Sequence, residues 1–189
     1  MSEGFHVHGP HDHEVEHKAH SGDSFAGRVA VMTAILATIG ALVSYQGGAT
    51  QNAALLFKNE AAIKKTEASD QWAFYQAKSG KQNLAELGAT LNTGKVADDY
   101  RAETERYKKE KDKIMADAKA LEVASKDADL KSEESMHLHH RWAQSMALIQ
   151  VAIALAAIAL LTRRKWMQWM AYGAGVGSLV IAALAFAHI

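Results

Sequence analysis

Apolar and polar positions fall into separate blocks along this chain of 189 residues. Residues 29–45, 143–161 and 166–189 are continuously apolar and contain no Asp, Glu, Lys or Arg. A helix needs roughly 20 mostly apolar residues to cross a bilayer, at about 1.5 Å of rise per residue. The second and third blocks reach that length, and the first does so once residues 25–28 and 46–48 are added as interfacial flanks. The pattern predicts an all-α membrane protein with three transmembrane helices, at 24–48, 142–161 and 166–189. A short basic loop, 162–165, joins the last two. The lipid bilayer is the first partner this implies.

The block between the first two spans, residues 49–141, is of another kind, with 16 basic and 16 acidic residues. From residue 50 to residue 92 it is rich in Ala, Lys, Glu and Gln and lacks Pro, which favours helix. Gly47-Gly48 offers a break just beyond the first span. A turn is expected at about 91–96, where Gly94 can take a left-handed conformation. A second helix runs from about residue 96 and continues into the membrane. Tyr100, Tyr107, Ile114, Leu121, Ala128, Ser135 and Trp142 recur every seven residues along it, which marks a coiled-coil seam. Between them lies a row of small or polar residues: Thr104, Lys111, Ala118, Ser125, Ser132 and His139. On the first arm, Leu56, Ile63, Phe74, Ala77, Leu84 and Leu91 are expected to answer that seam. The two arms would form a long antiparallel, coiled-coil-like hairpin of about 60 Å. So thin a structure buries little surface, so a homo-oligomer is expected.

Charge and composition narrow the function. The net charge is zero and no basic stripe exists, so no nucleic-acid partner is expected. Cysteine is absent, which excludes disulfides and thiolate metal sites. The first apolar block is too long for a signal-peptide core and is expected to be a retained anchor. Arg163, Arg164 and Lys165 form a very short positive loop, and such loops favour the cytoplasm. That places the N-terminus in the cytoplasm and the hairpin on the other side. No span contains an acid, lysine or arginine, and ion-coupled pumps usually need such groups at depth. An oligomeric pore lined by hydroxyls and amides stays open as an alternative.

Candidate chemistry is confined to two clusters. Residues 1–23 form a His-rich tail expected to be disordered. In it, His6, His8, His11, His13, His17 and His20 stand among carboxylates, a donor set suited to a divalent transition metal such as Zn, Ni, Cu or Co. The other reading is a solvated low-complexity tail. The second cluster is Glu133, His137 and His140, at i, i+4 and i+7 on one helical face, a spacing able to hold a metal. The alternative is a set of polar residues near the headgroups. Trp72 and Tyr75 share a face suited to packing, while Phe74 points elsewhere. Gly173 and Gly177 make a Gly-x-x-x-Gly pair of the kind that lets membrane helices approach. No nucleophile motif, phosphate loop or acid–base pair appears, so the chain is not expected to be an enzyme.

The order of segments resembles a known family. It comprises a His-rich tail, a span ending Tyr45-Gln46-Gly47-Gly48, then Gln51-Asn52-Ala53-Ala54-Leu55-Leu56, Lys58-Asn59-Glu60-Ala61 and the block at residues 68–78. These segments resemble the bacterial domain of unknown function 4337 family, and the likeness extends to the closing pair of spans. The resemblance implies a multi-pass bacterial inner-membrane protein with a central helical region; it implies no activity and no site residues. Together with the periodicity it leads to a non-enzymatic scaffold or docking stalk for self-assembly or for a membrane-complex partner. A metal-binding membrane protein using the tail is the alternative, and an oligomeric channel a weaker one.

Overall fold

The computed structural model describes residues 24–188, which contain no strand. Helix α1 spans Ser24–Leu91, α2 spans Lys95–Thr162 and α3 spans Lys165–Phe186. Each carries a stretch long and apolar enough to cross a membrane. The His-rich tail, and with it His6, His8, His11, His13, His17 and His20, lies outside the described residues.

The break expected at Gly47-Gly48 does not form, and α1 runs through both glycines. Glycine in a helix interior costs only about 1 kcal/mol against Ala, and here Gly47 has a packing use. It is buried, and a Cβ placed on it would lie 3.4 Å from Trp142 Cβ. Thr50 Oγ1 also donates to the carbonyls of Gln46 and Gly47, both at 3.0 Å, which secures the backbone there.

Both links between helices are short and use left-handed backbone. Gly94 takes φ +66°, and the Asp98 amide donates to its carbonyl at 3.2 Å, opening α2. Asn92 Nδ2 donates back to the Gly88 carbonyl at 2.8 Å, occupying one of the last free carbonyls of α1. Between α2 and α3, Arg163 adopts φ +53°, a conformation that costs a side-chain-bearing residue about 1–2 kcal/mol.

The chain divides into two compact units, one of residues Asn52–Ser135 and the other holding the residues on either side. The flanking, apolar unit has a core built around Val29, Leu36, Val43, Trp142 and Ile149 with small alanines between them. Close approach depends on glycine. A Cβ on Gly40 would sit 3.1 Å from Ile149 Cγ2, and one on Gly175 3.0 Å from Leu36 Cδ2. At the centre, Ser145 and Ser178 are fully buried and clasp each other. Ser145 Oγ donates to the Ser178 carbonyl at 3.0 Å, Ser178 Oγ donates to the Ser145 carbonyl at 2.9 Å, and the hydroxyls are 2.9 Å apart. Two hydroxyls in an apolar segment are thus satisfied entirely by each other's residues, as burial requires.

The polar unit, Asn52–Ser135, is held by a seam of small side chains. Ala54, Ala61, Ala68 and Ala85 of α1 are buried, as are Ala97, Thr104, Ala118, Ala128 and Ser132 of α2. The row of small and polar residues on α2 therefore lies deeper than the row of large ones. Tyr107, Ile114 and Leu121 are half-buried and Tyr100 is exposed. Small side chains bring the backbones within reach of one hydroxyl: Ser125 Oγ donates to the Ala61 carbonyl and Ser132 Oγ to the Ala54 carbonyl, each at 2.8 Å. Around the seam, Lys58 pairs with Asp129 at 2.5 Å, Trp72 with Glu122, Lys78 with Glu110, and Lys111 with Gln82.

That geometry corrects the expectation for the first arm. Leu56, Ile63, Phe74, Ala77, Leu84 and Leu91 do not enter the seam; all are exposed, the five large ones at 57–75%. A seam narrow enough for hydroxyl–carbonyl bonds has no room for leucine, so the large residues are turned outward.

Candidate functional site

No cluster of reactive side chains stands out among the described residues, and the outer face of α1 in the polar unit is the most unusual surface. Leu56 and Ile63 lie seven residues apart, as do Ala77, Leu84 and Leu91 one after another. Leu55, Phe74 and Leu87 widen the stripe, and all of these side chains are exposed. Asp70 interrupts the row at its middle, and Gly80 leaves open space beside it. Scattered apolar residues on a surface are ordinary, whereas a contiguous apolar stripe along a polar segment marks an interaction face.

The sides of this unit are charged and aromatic. Trp72 Nε1–H donates to Glu122 Oε1 at 2.8 Å, and its ring meets Tyr75 edge-on with centroids 5.6 Å apart. Lys111 Nζ lies 4.9 Å from the Tyr75 ring centre and Arg106 lies 4.9 Å from that of Tyr107, distances suited to cation–π attraction. Trp72 and Tyr75 are thus half-buried between the arms, while Phe74, two residues from Trp72, faces out.

The hydrogen bond from Lys78 holds the Glu110 carboxyl below its usual value of 4.5, with the Lys78 and Arg106 charges adding to the effect. A lowered folded-state pKa gives stability that is present above the unfolded carboxylate value and is lost as pH falls through the folded one. Glu110→Gln is therefore expected to flatten the acid side of the stability profile. Thermal melts from neutral pH down through the carboxylate range would check this; an unchanged acid limb would count against it.

The structure does not gather the second metal candidate into a site. Glu133, His137 and His140 are each exposed on α2, and no group of three or more His, Asp or Glu side chains able to hold a metal forms among the described residues. The i, i+4, i+7 spacing aligns these residues on one face, but one helix alone supplies no converging fourth donor. His139, which that spacing left out, does the structural work: its Nδ1–H donates to the Gly47 carbonyl at 2.9 Å. The glycine pair separates too. Gly173 is exposed and a Cβ added to it would meet nothing within 4 Å, while one on Gly177 would lie 3.9 Å from Leu148 Cδ1. Gly175, between them, makes the close contact with α1. Sequence reasoning also missed the Ser145–Ser178 clasp, whose signal was two isolated hydroxyls in otherwise apolar runs.

Among the described residues, three helices each apolar enough to cross a membrane, two of them 68 residues long, define a membrane-protein architecture with a long polar middle. Residues 25–188 match the family described as a domain of unknown function (DUF4337), and the chain belongs to that family. No curated relative and no solved structure matches it.

Proposed function

We propose that this protein is a non-enzymatic scaffold of the bacterial inner membrane. In this reading the polar unit is an antiparallel helical hairpin that self-assembles, and presents a docking stalk, through the outer face of α1. The hairpin is supported by the cross-contacts, whose partners rise along α1 from Lys58 through Trp72 to Lys78 and Gln82, while on α2 they fall from Asp129 through Glu122 to the adjacent pair Glu110 and Lys111. The basic Arg163-Arg164-Lys165 link supports a cytoplasmic N-terminus and a polar unit on the opposite side.

The observation that carries the proposal is the outward stripe. Its occupant is a second copy of the chain, because the stripe keeps a seven-residue repeat, the pattern two helices need to stay in contact along their length. Fully burying a Leu, Ile or Phe is worth about 1.5–3 kcal/mol. The remaining exposure of Leu56, Ile63, Phe74, Leu84, Leu87 and Leu91 thus offers on the order of 10 kcal/mol, comparable with the roughly 4–15 kcal/mol that association costs. One stripe against another is therefore sufficient only when most of its length is engaged.

The test is the double variant Ile63→Glu plus Leu84→Glu, at two exposed positions outside the buried seam. The full chain in lipid nanodiscs is expected to lose its oligomeric state by native mass spectrometry, with helix content by circular dichroism unchanged. A wild-type protein that is monomeric in nanodiscs, or a double variant that keeps the wild-type subunit number, would overturn the proposal.

A further inference from the structure

A groove of about 460 Å³ runs along the surface of the apolar unit between α1 and α3. Its floor and walls are almost wholly apolar, with Val31, Ile35 and Ile39 on one side and Val176 and Leu179 on the other. Three of those side chains, Val31, Ile35 and Val176, are more than half exposed, so the groove opens outward from the helix packing. Only one charged residue lines it. Arg28, one turn into α1, stands at one end, is exposed, and forms no ion pair among the described residues.

Tyr172 also lines the groove, and its hydroxyl is prepared for a hydrogen-bond acceptor. Gln168 Nε2 donates to the Tyr172 hydroxyl oxygen at 3.3 Å, so the phenolic proton remains available for donation. Lys165 opens α3 less than two helical turns before Tyr172, and Arg164 immediately precedes it. The chain thus concentrates positive charge and a spare O–H donor where α1 and α3 begin.

Length decides what fits. From Arg28 to Ile39 the α1 wall rises through eleven residue steps, about 17 Å at 1.5 Å per residue. That is close to half of the roughly 30 Å hydrocarbon thickness, the depth of one leaflet. Membrane helices that pack on one another favour faces of small residues along their contact. This groove stops midway, is walled by branched side chains, and has a cation at its head.

We propose that the groove is a binding site for one anionic phospholipid per subunit. An acyl chain lies along Val31, Ile35 and Val176, and the phosphate is held by Arg28 with a hydrogen bond from Tyr172. A guanidinium suits this place because it matches phosphate with two donors at once, whereas an ammonium offers a point charge. A headgroup with net negative charge is preferred over a zwitterionic one of the same chains, since the choline of the latter brings its own cation to the basic end.

The experiment uses the full chain, delipidated in mild detergent and titrated with phosphatidylglycerol or phosphatidylcholine of identical acyl chains, with lipid adducts counted by native mass spectrometry. One phosphatidylglycerol per subunit is expected, retained about tenfold more strongly than phosphatidylcholine, as a charge-assisted contact would give. Arg28→Gln should abolish the preference, and Arg28→Lys should restore part of it. Val176→Trp, which fills the groove and leaves Arg28 in place, should displace both lipids. The inference is overturned if Arg28→Gln keeps the preference, if free glycerol phosphate competes as well as the lipid, or if Val176→Trp lowers the subunit number and leaves lipid retention intact. Lipid is counted per subunit, so the result stands apart from whether the α1 stripe assembles copies.

Discussion

Ile149→Ala is expected to cost the apolar unit about 2–5 kcal/mol, as truncating a fully buried isoleucine does elsewhere. Ile149 is 1% exposed, and its Cγ2 occupies the notch left by the missing side chain of Gly40. In a bilayer the lost energy is chiefly packing, because lipid tails are as apolar as the side chain they replace. A second substitution makes the origin visible. Gly40→Ala alone puts a methyl 3.1 Å from Ile149 Cγ2 and should destabilise by crowding. In the Ile149→Ala background the same methyl enters the vacated space and should recover part of the loss. Steric-trap or denaturant unfolding in bicelles would measure all four corners of the cycle. Additive losses would show that the notch and the side chain are not partners.

Ala118→Leu should damage the polar unit by about 1–3 kcal/mol, through overpacking in place of a cavity. Ala118 is fully buried in a seam whose spacing is set by bonds such as Ser125 Oγ to the Ala61 carbonyl. Three added carbons must either force the arms apart, breaking those bonds, or turn outward into a strained rotamer. The contrast is Leu121→Ala at a half-buried position, which removes three carbon atoms yet leaves the seam closed. Hydrogen exchange at the amides of residues 54–68 is expected to rise strongly in Ala118→Leu and little in Leu121→Ala. Equal protection in both would mean that the seam is not what holds the arms.

The three apolar helices were legible because the bilayer imposes a minimum length on an uncharged run, and this chain satisfies it three times. The order of helices and the glycine turn followed from composition and from Gly94. The side on which the polar helices meet was not legible. A rule that puts large apolar residues inside assigns Leu56, Ile63 and Leu84 to the seam, because sequence pattern alone does not distinguish an inner seam from an outer one. What distinguishes them is the repeat of Ala54, Ala61 and Ala68, and small residues carry a weak hydropathy signal. Gly47-Gly48 misled for a related reason: a glycine pair suits a helix end and close helix packing equally, and only the position of Trp142 separates the two. The candidate metal residues on α2 failed on convergence, which spacing along one helix does not supply.

The alanine seam has a consequence for how the arms find their alignment. Ala54, Ala61 and Ala68 are seven apart, and so are Ser125 and Ser132, so sliding one arm by a heptad would present each serine with another alanine carbonyl. Over this stretch the alanine row alone does not fix the register. Alignment has to be set by features that do not repeat. Tyr100 lies across Gly88, where any Cβ would come within 2.9 Å of its ring, Trp72 reaches Glu122, and a link of three residues closes the end. Together with the Lys58–Asp129, Lys78–Glu110 and Lys111–Gln82 pairs, those contacts single out the alignment that the alanines leave open.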